Sequence, residues 1–254
     1  MVSVINKLLH LGAVQKCCPS DDQFKSQIFL ATKNNGDKRF ILNLKPLNKF
    51  IKTTHFKMED FRTECKLIPV HGFIGNIDLK EAYLLVPVAK NYQKYLKFEF
   101  PHENPHTLSY FQFTAMPYGL SIAPRVFSKI MKEAIAHLKS RGLKSVIYLD
   151  DILCIGDDYK SCLTNISETL KFIESLGFIV NYNKSSLEPT QLCKFLGFNF
   201  NTTNLSLSLP TEKRQSIKCL LKKFKLHCSI RQLAQLIGTL TAACPASKYG
   251  WLYS

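Results

Sequence analysis

Two hydrophobic patterns alternate along the chain. Apolar residues recur at spacings of three and four in five stretches, which predicts helices over residues 2–14, 122–138, 163–176, 217–224 and 233–240. Shorter apolar runs rich in Ile, Val, Leu, Phe and Tyr predict strands at residues 28–32, 39–44, 73–78, 95–100, 110–113, 146–149, 152–155 and 178–181, and a further hairpin near residues 195–198. The stretch Ser229-Ile230-Arg231-Gln232 predicts a capping box before the last helix. The pattern as a whole indicates an α+β protein.

The middle of the chain has the order strand, helix, hairpin, helix, strand. This order is typical of a ferredoxin-like split βαβ arrangement, in which the first strand lies beside the hairpin. The strand over residues 73–78 ends in Asp78, and the hairpin over residues 146–155 contains Asp150. The topology therefore predicts that these two carboxylates meet at one edge of an antiparallel sheet, although they are 72 residues apart.

An adjacent carboxylate pair, Asp150-Asp151, lies between two apolar runs of strand length. Burying these charges inside a strand would cost several kcal/mol each, so we expect the pair at the exposed tip of a hairpin, solvated or bound to cations. Adjacent strand residues point to opposite faces. Asp150 is therefore the expected partner of Asp78, and Asp151 contributes fully only if the turn redirects it. The other acidic pairs lack flanking apolar runs and are interpreted as caps, turns or solvated positions.

Charge and cysteine usage limit the functional classes. The 254 residues include 34 Lys and Arg against 19 Asp and Glu, a net charge of +15, which favours nucleic acid or an anionic membrane surface as partner. No apolar run reaches the roughly 18–20 residues of a membrane span, and no signal-peptide cleavage site follows the amphipathic start. The nine cysteines form no C-x-x-C motif, which indicates reduced thiols and an intracellular protein.

Six blocks, in order, resemble the reverse transcriptases of retroelements. They are KNNGDKRFILNLKPLNKF, IDLKEAY, MPYGLSIAP, the Tyr-x-Asp-Asp block YLDD, GFIVNYNKS and KFLGF. More narrowly, HFKMED, RQLAQLIGTL and CPASKYGWLY resemble the DIRS group of tyrosine-recombinase retrotransposons. The resemblance implies a right-hand polymerase fold, with fingers at residues 1–72, a palm at 73–205 carrying a fingers-like insertion near 89–113, and a partial thumb or connection at 206–254.

The resemblance also implies an activity and its partners. It implies an RNA-directed DNA polymerase that adds dNTPs to a primer 3′-hydroxyl on an RNA or DNA template-primer duplex, away from membranes. Two Mg²⁺ ions, with Mn²⁺ as the alternative, would be held by Asp78, the carbonyl of Leu79, Asp150 and Asp151. Mg²⁺ prefers hard oxygen ligands and keeps several waters, so a few carboxylates and the substrate phosphates suffice.

The remaining site residues are assigned to the nucleotide by the same resemblance. Lys33 and Arg39 would contact the triphosphate, and Lys184 would donate a proton to the departing pyrophosphate. Tyr118 would shape the nucleotide pocket, and Tyr83 would fill the space of a ribose 2′-hydroxyl. Each has a plainer alternative: a solvated loop for the basic hairpin tip, a surface position for Lys184, and aromatic packing for the two tyrosines.

Three departures from the family pattern leave a second function open. Asn43 and Lys45 stand where retroelement enzymes usually have Asp and Arg, which puts a supporting salt bridge in the fingers in doubt but not the metal site. The spaced acids of an RNase H domain do not follow Leu240, and the thumb is expected to be incomplete. The alternative is a decayed or domesticated fragment that only binds nucleic acid. Primer extension with Mg²⁺ separates the two, and the oligomeric state stays open.

Overall fold

The computed structural model describes residues 1–32, 38–54, 56, 67–101, 108–224, 228–247 and 250. Its α-helices are α1 (Val2–His10), α2 (Lys45–Asn48), α3 (Lys90–Gln93), α4 (Ala123–Ser140), α5 (Tyr159–Ser175), α6 (Thr211–Lys223) and α7 (Ile230–Thr241), and short 3-10 helices span Ala82–Leu85 and Cys244–Ala246. Its strands are β1 (Val14–Cys17), β2 (Ile28–Thr32), β3 (Lys38–Leu42), β4 (Phe73–Lys80), β5 (Lys97–Phe100), β6 (Ser109–Phe113), β7 (Lys144–Tyr148), β8 (Asp151–Gly156), β9 (Ile179–Val180), β10 (Ser186–Thr190), β11 (Leu192–Phe195), β12 (Phe198–Asn201) and β13 (Ser206–Ser208).

The central antiparallel sheet has the strand order β10–β4–β8–β7, and the short β9 pairs with the end of β4. The connection from β4 to β7 passes through α3, β5, β6 and then helix α4, and helix α5 connects β8 to β9. The first strand of the unit therefore lies beside the second strand of the hairpin, which confirms the predicted ferredoxin-like split βαβ arrangement. Strand β10 was not predicted; it covers the edge of β4 that the hairpin leaves free.

The two faces of this sheet have different neighbours. Ile77, Ile152 and Cys154 belong to the same buried cluster as the apolar residues of α4 and α5. Ile74 and Leu153 instead pack with the buried phenylalanines of β11 and β12. Because successive strand residues alternate between faces, Asp78 and Asp151 lie on the face opposite the two helices. This face carries the candidate site.

Close packing of α5 on the sheet requires a glycine in β4. A Cβ atom added at Gly75 would lie 2.4 Å from Cδ1 of Ile166, a buried residue of α5. Helix α5 begins with a capping box in which Asp158 accepts a hydrogen bond from Ser161 N, as expected for the acidic pair 157–158. These features fix the helix against β4 and so fix the strand that carries Asp78.

The N-terminal part of the chain forms two smaller sheets. Strands β1, β6 and β5 form one, and the hairpin β2–β3 forms the other. The helix predicted over residues 2–14 is too long, because Gly12 has a positive φ of 71° that ends α1 near His10, and Val14 already belongs to β1. One hydrophobic cluster joins these sheets to α4 and α5, so no separate core marks the predicted boundary at residue 72, and the domain division stays a prediction.

The C-terminal part contains the predicted hairpin of β11 and β12, extended by β13, followed by α6 and α7. The predicted capping box is confirmed: Ser229 accepts a hydrogen bond from Gln232 N, and the Gln232 side chain accepts one from Ser229 N. In the described residues, no helix is both long and apolar enough to cross a membrane.

Candidate active site

The hairpin β7–β8 closes through a turn of two residues. Tyr148 pairs with Asp151 across the hairpin, so Leu149 and Asp150 form the turn. Leu149 has a φ of 55°, in the left-handed region that the first position of a tight hairpin turn requires. An apolar residue there is strained, and such strain is found at sites where the surrounding structure enforces it. Asp150 therefore lies in the turn and Asp151 begins β8, and both side chains are half-buried, whereas the sequence analysis expects an exposed pair.

The register places Asp151, rather than Asp150, opposite Asp78. Strands β4 and β8 run antiparallel with Asp78 paired to Asp151 and Ile77 paired to Ile152. Directly opposite residues share a face of the sheet. Asp151 is therefore the cross-strand partner of Asp78, because Asp150 belongs to the turn. The expectation that Asp150 joins Asp78 in holding a metal ion stays a prediction.

Asp150 is tied to β4 by its main chain. Its carbonyl accepts a hydrogen bond from Leu79 N at 2.8 Å. The N–H and C=O of one strand residue point to the same edge, so the Leu79 carbonyl also lies on the hairpin edge of β4. Leu79 itself is buried, with its side chain in the helix-facing core. The three carboxylates and this carbonyl therefore surround the junction of β4 with the hairpin.

Burial, and repulsion between carboxylates after it, raises the pKa of both hairpin carboxyls. Burial raises the pKa of Asp151 from 3.8 to about 6, and the nearby charges of Asp150 and Asp78 act in the same direction. The pKa of Asp150 is also raised, by burial first and by Asp78 after it. Lys184 opposes both shifts. Carboxylates held this close together repel one another, and a bound cation would offset that repulsion.

Asp78 is held by the turn that follows β9. Asn181 Nδ2 donates to Asp78 Oδ1 at 2.8 Å, and Asn181 N donates to the Asp78 carbonyl at 2.8 Å. Asp78 N donates to Ser185 Oγ at 3.0 Å. Lys184 lies in the same turn, is exposed, and acts electrostatically on Asp150 and Asp151. The predicted proton donor and the first carboxylate thus come together.

The tyrosines that the sequence analysis assigns to the nucleotide form an aromatic group beside Asp150. The Tyr83 ring packs at 5.3 Å from Tyr118 and at 5.0 Å from Phe127. The Arg39 guanidinium lies over the Tyr118 ring at 5.8 Å. Burial, with Asp150 second, raises the pKa of Tyr83 to about 12, and burial also raises the pKa of Tyr118. Both phenols stay neutral near Asp150.

The predicted site residues are therefore brought together with one exception. Arg39 on β3 faces the same region as the hairpin tip, since it acts electrostatically on Asp150 and on Tyr118. Lys33 lies outside the described residues. The sequence interpretation of Arg39, Tyr83 and Tyr118 as one group agrees with these contacts, while their roles toward a nucleotide stay predictions.

Asn48 fixes the turn that carries Tyr118. Its Nδ2 donates to the Gly119 carbonyl at 2.9 Å, and its Oδ1 accepts from Ser121 N at 2.9 Å.

At the departure from the family pattern, the Asn43 side chain accepts a hydrogen bond from Lys45 N at 3.3 Å. An amide contact to the main chain thus stands where the family pattern places charged side chains.

Three site residues were missed by the sequence interpretation. Asn181 and Ser185 hold Asp78, and Asn76 lies buried two residues before Asp78 on the same face of β4. A hydrogen bond from the Asn76 side chain lowers the pKa of Asp151, while the buried Asn76 Oδ1 has no hydrogen-bond partner among the residues that the structure describes. The position of Asn76, a polar residue inside the apolar run FIGNID, is a signal that the sequence offers. The contact of Asn181 joins residues that are 103 positions apart, and the sequence offers no signal for it.

Comparison with known proteins identifies the family. The family model described as reverse transcriptase (RNA-dependent DNA polymerase) matches residues 31–200, which is more than half of the chain. The chain belongs to the reverse transcriptase family. Within the matched span lie the carboxylate hairpin, the Asn181 turn and the aromatic group described above.

Relatives and solved structures agree with this assignment. The reverse transcriptase is similar to the Transposon Tf2-7 and Tf2-3 polyproteins of Schizosaccharomyces pombe, each 26% identical over 174 residues, or 68% of this chain and 12% of the polyprotein. The chain thus spans about an eighth of the length of these curated relatives. They support a retrotransposon origin, and the narrower resemblance to the DIRS group stays a prediction.

The fold of the reverse transcriptase is that of the foamy viral protease-reverse transcriptase. The complex of that protein with double-stranded DNA matches at a TM-score of 0.76 and 21% identity, over 98% of this chain and 49% of the viral chain. The complex with an RNA/DNA hybrid matches at a TM-score of 0.70 and 20% identity, over 94% of this chain and 30% of the viral chain. The right-hand polymerase fold predicted from the sequence is therefore confirmed.

A basic helix distinguishes the C-terminal part of the reverse transcriptase. No side chain of α6 is buried. The helix carries the cations Lys213, Arg214, Lys218, Lys222 and Lys223. The Lys213 ammonium lies over the Phe198 ring at 4.7 Å, which anchors the helix to the β11–β12 hairpin. The positive charge of the chain thus includes a continuous helical surface in addition to the site.

Proposed function

We propose that this domain catalyses RNA-directed DNA synthesis, transferring the nucleotidyl group of a dNTP to a primer 3′-hydroxyl with release of pyrophosphate. One observation carries the proposal. Asp78, Asp150 and Asp151 converge at the junction of β4 with the hairpin, with the Lys184 turn on one side and Arg39 with the two tyrosines on the other. Acidic, basic and aromatic groups in this arrangement suit the phosphates, sugar and leaving group of a nucleotide.

The donor set fits divalent cations with a preference for oxygen ligands. In the described part of the chain, no group of three or more His, Cys, Asp and Glu side chains lies close enough together to hold a metal ion by itself. An open carboxylate set suits Mg²⁺, which keeps waters and takes substrate phosphates as ligands. Asp78, Asp150, Asp151 and the Leu79 carbonyl would hold two Mg²⁺ ions, or Mn²⁺ in their place. When bound, the ions lower the pKa of the primer hydroxyl and balance the charge on the phosphates.

The remaining residues act on the nucleotide. Arg39 binds the triphosphate through its guanidinium fork, and Lys33 adds a point charge there. Lys184 gives a proton to the leaving pyrophosphate. Tyr118 forms the wall of the nucleotide pocket, and Tyr83, packed against Tyr118 and Phe127, excludes a ribose 2′-hydroxyl.

The polynucleotide partner is a template-primer duplex. Support comes from the net charge of +15, from the basic surface of α6, and from the foamy viral protein, whose structures contain double-stranded DNA and an RNA/DNA hybrid. Phosphate contacts by Lys and Arg give affinity without sequence preference, as a polymerase that copies any template needs.

Primer extension tests the proposal. The domain is incubated with a DNA primer on an RNA template, dNTPs and Mg²⁺, and extension is followed by product length. Stepwise extension that needs the divalent ion and stops in Asp78→Asn supports the proposal. Binding of the duplex without extension contradicts it and supports the alternative, a fragment that only binds nucleic acid.

A further inference from the structure

One turn holds both the main chain and the side chain of Asp78. Asn181 donates to Asp78 twice, from its backbone N–H to the carbonyl and from Nδ2 to Oδ1, each at 2.8 Å. Ser185 Oγ accepts the Asp78 N–H at 3.0 Å. Every polar group of Asp78 except Oδ2 is thus engaged by residues of this turn, and the carboxylate has little freedom to rotate.

The same turn fixes the backbone of Lys184. The Asn181 carbonyl accepts hydrogen bonds from Lys184 N and Ser185 N at 3.0 Å each. The Ser185 hydroxyl donates to that carbonyl at 2.9 Å, which leaves its lone pairs for the Asp78 N–H. Asn181 is therefore bonded to Asp78 on one side and to the Lys184 backbone on the other, so displacement of either segment moves the other.

The chemistry of an amide suits this position. A carboxylate has about four lone-pair sites, so one hydrogen bond to Oδ1 orients it and leaves the other sites for a cation. An amide donor carries no net charge, whereas a Lys or Arg in its place would neutralise Asp78 and compete with the metal ion. The outer partners of metal-binding carboxylates typically change metal affinity or activity by about 10- to 100-fold when removed.

We propose that Asn181 is a positioning residue that sets the Asp78 carboxylate for metal binding and links it to the Lys184 turn, so that the metal ligand and the proton donor form one mechanical unit. This inference rests on the proposed function. It predicts two separable effects of removing the Asn181 amide. The divalent ion should bind more weakly, and the contribution of Lys184 to the rate of nucleotide incorporation should fall.

Metal binding without catalysis is the first test. Mn²⁺ is titrated by electron paramagnetic resonance into the domain with bound template-primer and no dNTP. Asn181→Ala is expected to bind Mn²⁺ about 10- to 100-fold more weakly than wild type. Asn183→Ala is the matched control, because Asn183 is exposed in the same turn and its side chain makes no hydrogen bond within the described residues. Asn181→Leu, which keeps the side-chain volume, gives the same comparison if the alanine variant unfolds.

A double-mutant cycle is the second test. Single-turnover incorporation is measured for Asn181→Ala, Lys184→Ala and the double variant. Residues that act as one unit give strongly non-additive effects, so Lys184→Ala should lower the rate much less in the Asn181→Ala background than in wild type. Wild-type Mn²⁺ affinity in both Asn181 variants, or additive rates, overturns the positioning role. Wild-type protein that binds Mn²⁺ but extends no primer overturns the proposed function instead.

Discussion

Asp78 on β4 and Asp151 on β8 are direct neighbours across two antiparallel strands. Cβ atoms of such a pair are about 4.5–5.5 Å apart, and like charges there are destabilising. Burial first, and the charges of Asp150 and Asp78 after it, raise the pKa of Asp151 to about 6. Keeping two carboxylates together lowers the stability of the fold. The proposed metal site explains the arrangement, because a bound cation uses the combined charge.

Removal of one charge at the hairpin tip tests the catalytic assignment. Asp150→Asn keeps the side-chain shape, and we expect it to lower the rate of primer extension by roughly 10³-fold, the scale of losing a preorganised electrostatic group. Asp157→Asn is the matched control, since Asp157 follows β8 at its far end and pairs with Lys144 at 2.8 Å. Extension by Asp150→Asn at a rate close to that of Asp157→Asn would remove Asp150 from the mechanism.

The sequence was sufficient for the strand order but insufficient for the register. Apolar runs and helical spacing gave β4, α4, the hairpin and α5 in order, and the handedness of βαβ connections then left few topologies. The register depends on whether Asp150 belongs to the strand or to the turn, and a one-residue change moves a side chain to the other face. The two-residue turn at Leu149 and Asp150 sets the register. The sequence gives no signal for this turn, because Leu149 has a positive φ although it is an apolar residue.

Long-range polar contacts were also beyond the sequence. The Asn181 side chain meets Asp78 across 103 residues, and nothing near either residue indicates the pairing. By contrast, caps are local: the Ser229–Gln232 box depends on residues three apart and was predicted correctly. Local chemistry was therefore predictable, and contacts that need the closed sheet were not.

Salt dependence tests how the duplex is held. The basic surface of α6 and the net charge of +15 imply that most affinity is electrostatic. If about six phosphates are neutralised, the logarithm of the association constant should fall with the logarithm of salt concentration at a slope near −5. Replacing Lys218 and Lys222 with Ala should make the slope shallower by up to about 2. A flat titration would show that the charge does not serve duplex binding.

Sugar choice tests the role of Tyr83. A ribose 2′-hydroxyl would overlap the ring or be buried without a partner, at about 1–3 kcal/mol, which is roughly a 5- to 150-fold preference for dNTPs. We expect Tyr83→Val to raise kcat/KM for rNTPs relative to dNTPs. It should also lower the melting temperature, because the ring packs on Tyr118 and Phe127.

The control for sugar choice is Phe127→Leu. Phe127 is fully buried and contacts the same ring. This variant should lower the melting temperature while the ratio of kcat/KM for the two sugars stays as in wild type. Tyr83 is only a core residue if Tyr83→Val changes stability and leaves the ratio unchanged.

The raised pKa of Asp151 predicts a pH-dependent stability of the metal-free protein. The carboxyl has a pKa of about 6 in the fold against 3.8 for its ordinary value. Below about pH 4 the Asp151 carboxyl is protonated in both the folded and the unfolded state, so it carries no charge that would destabilise the fold. Above about pH 6 it is ionised in both states, and the folded state bears the whole cost of burial and repulsion. In EDTA, wild type should therefore lose stability relative to Asp151→Asn as the pH rises from 4 to 6.

Divalent cations should reverse this trend, because they bind the ionised carboxylates and release protons. The increase in melting temperature on adding Mg²⁺ should be small at pH 5 and larger at pH 7.5 in wild type, and nearly constant with pH in Asp151→Asn. Melting curves of both proteins at several pH values, with EDTA and with Mg²⁺, provide the measurement. Parallel curves for the two proteins would mean that Asp151 neither titrates in this range nor contributes its charge to the metal site.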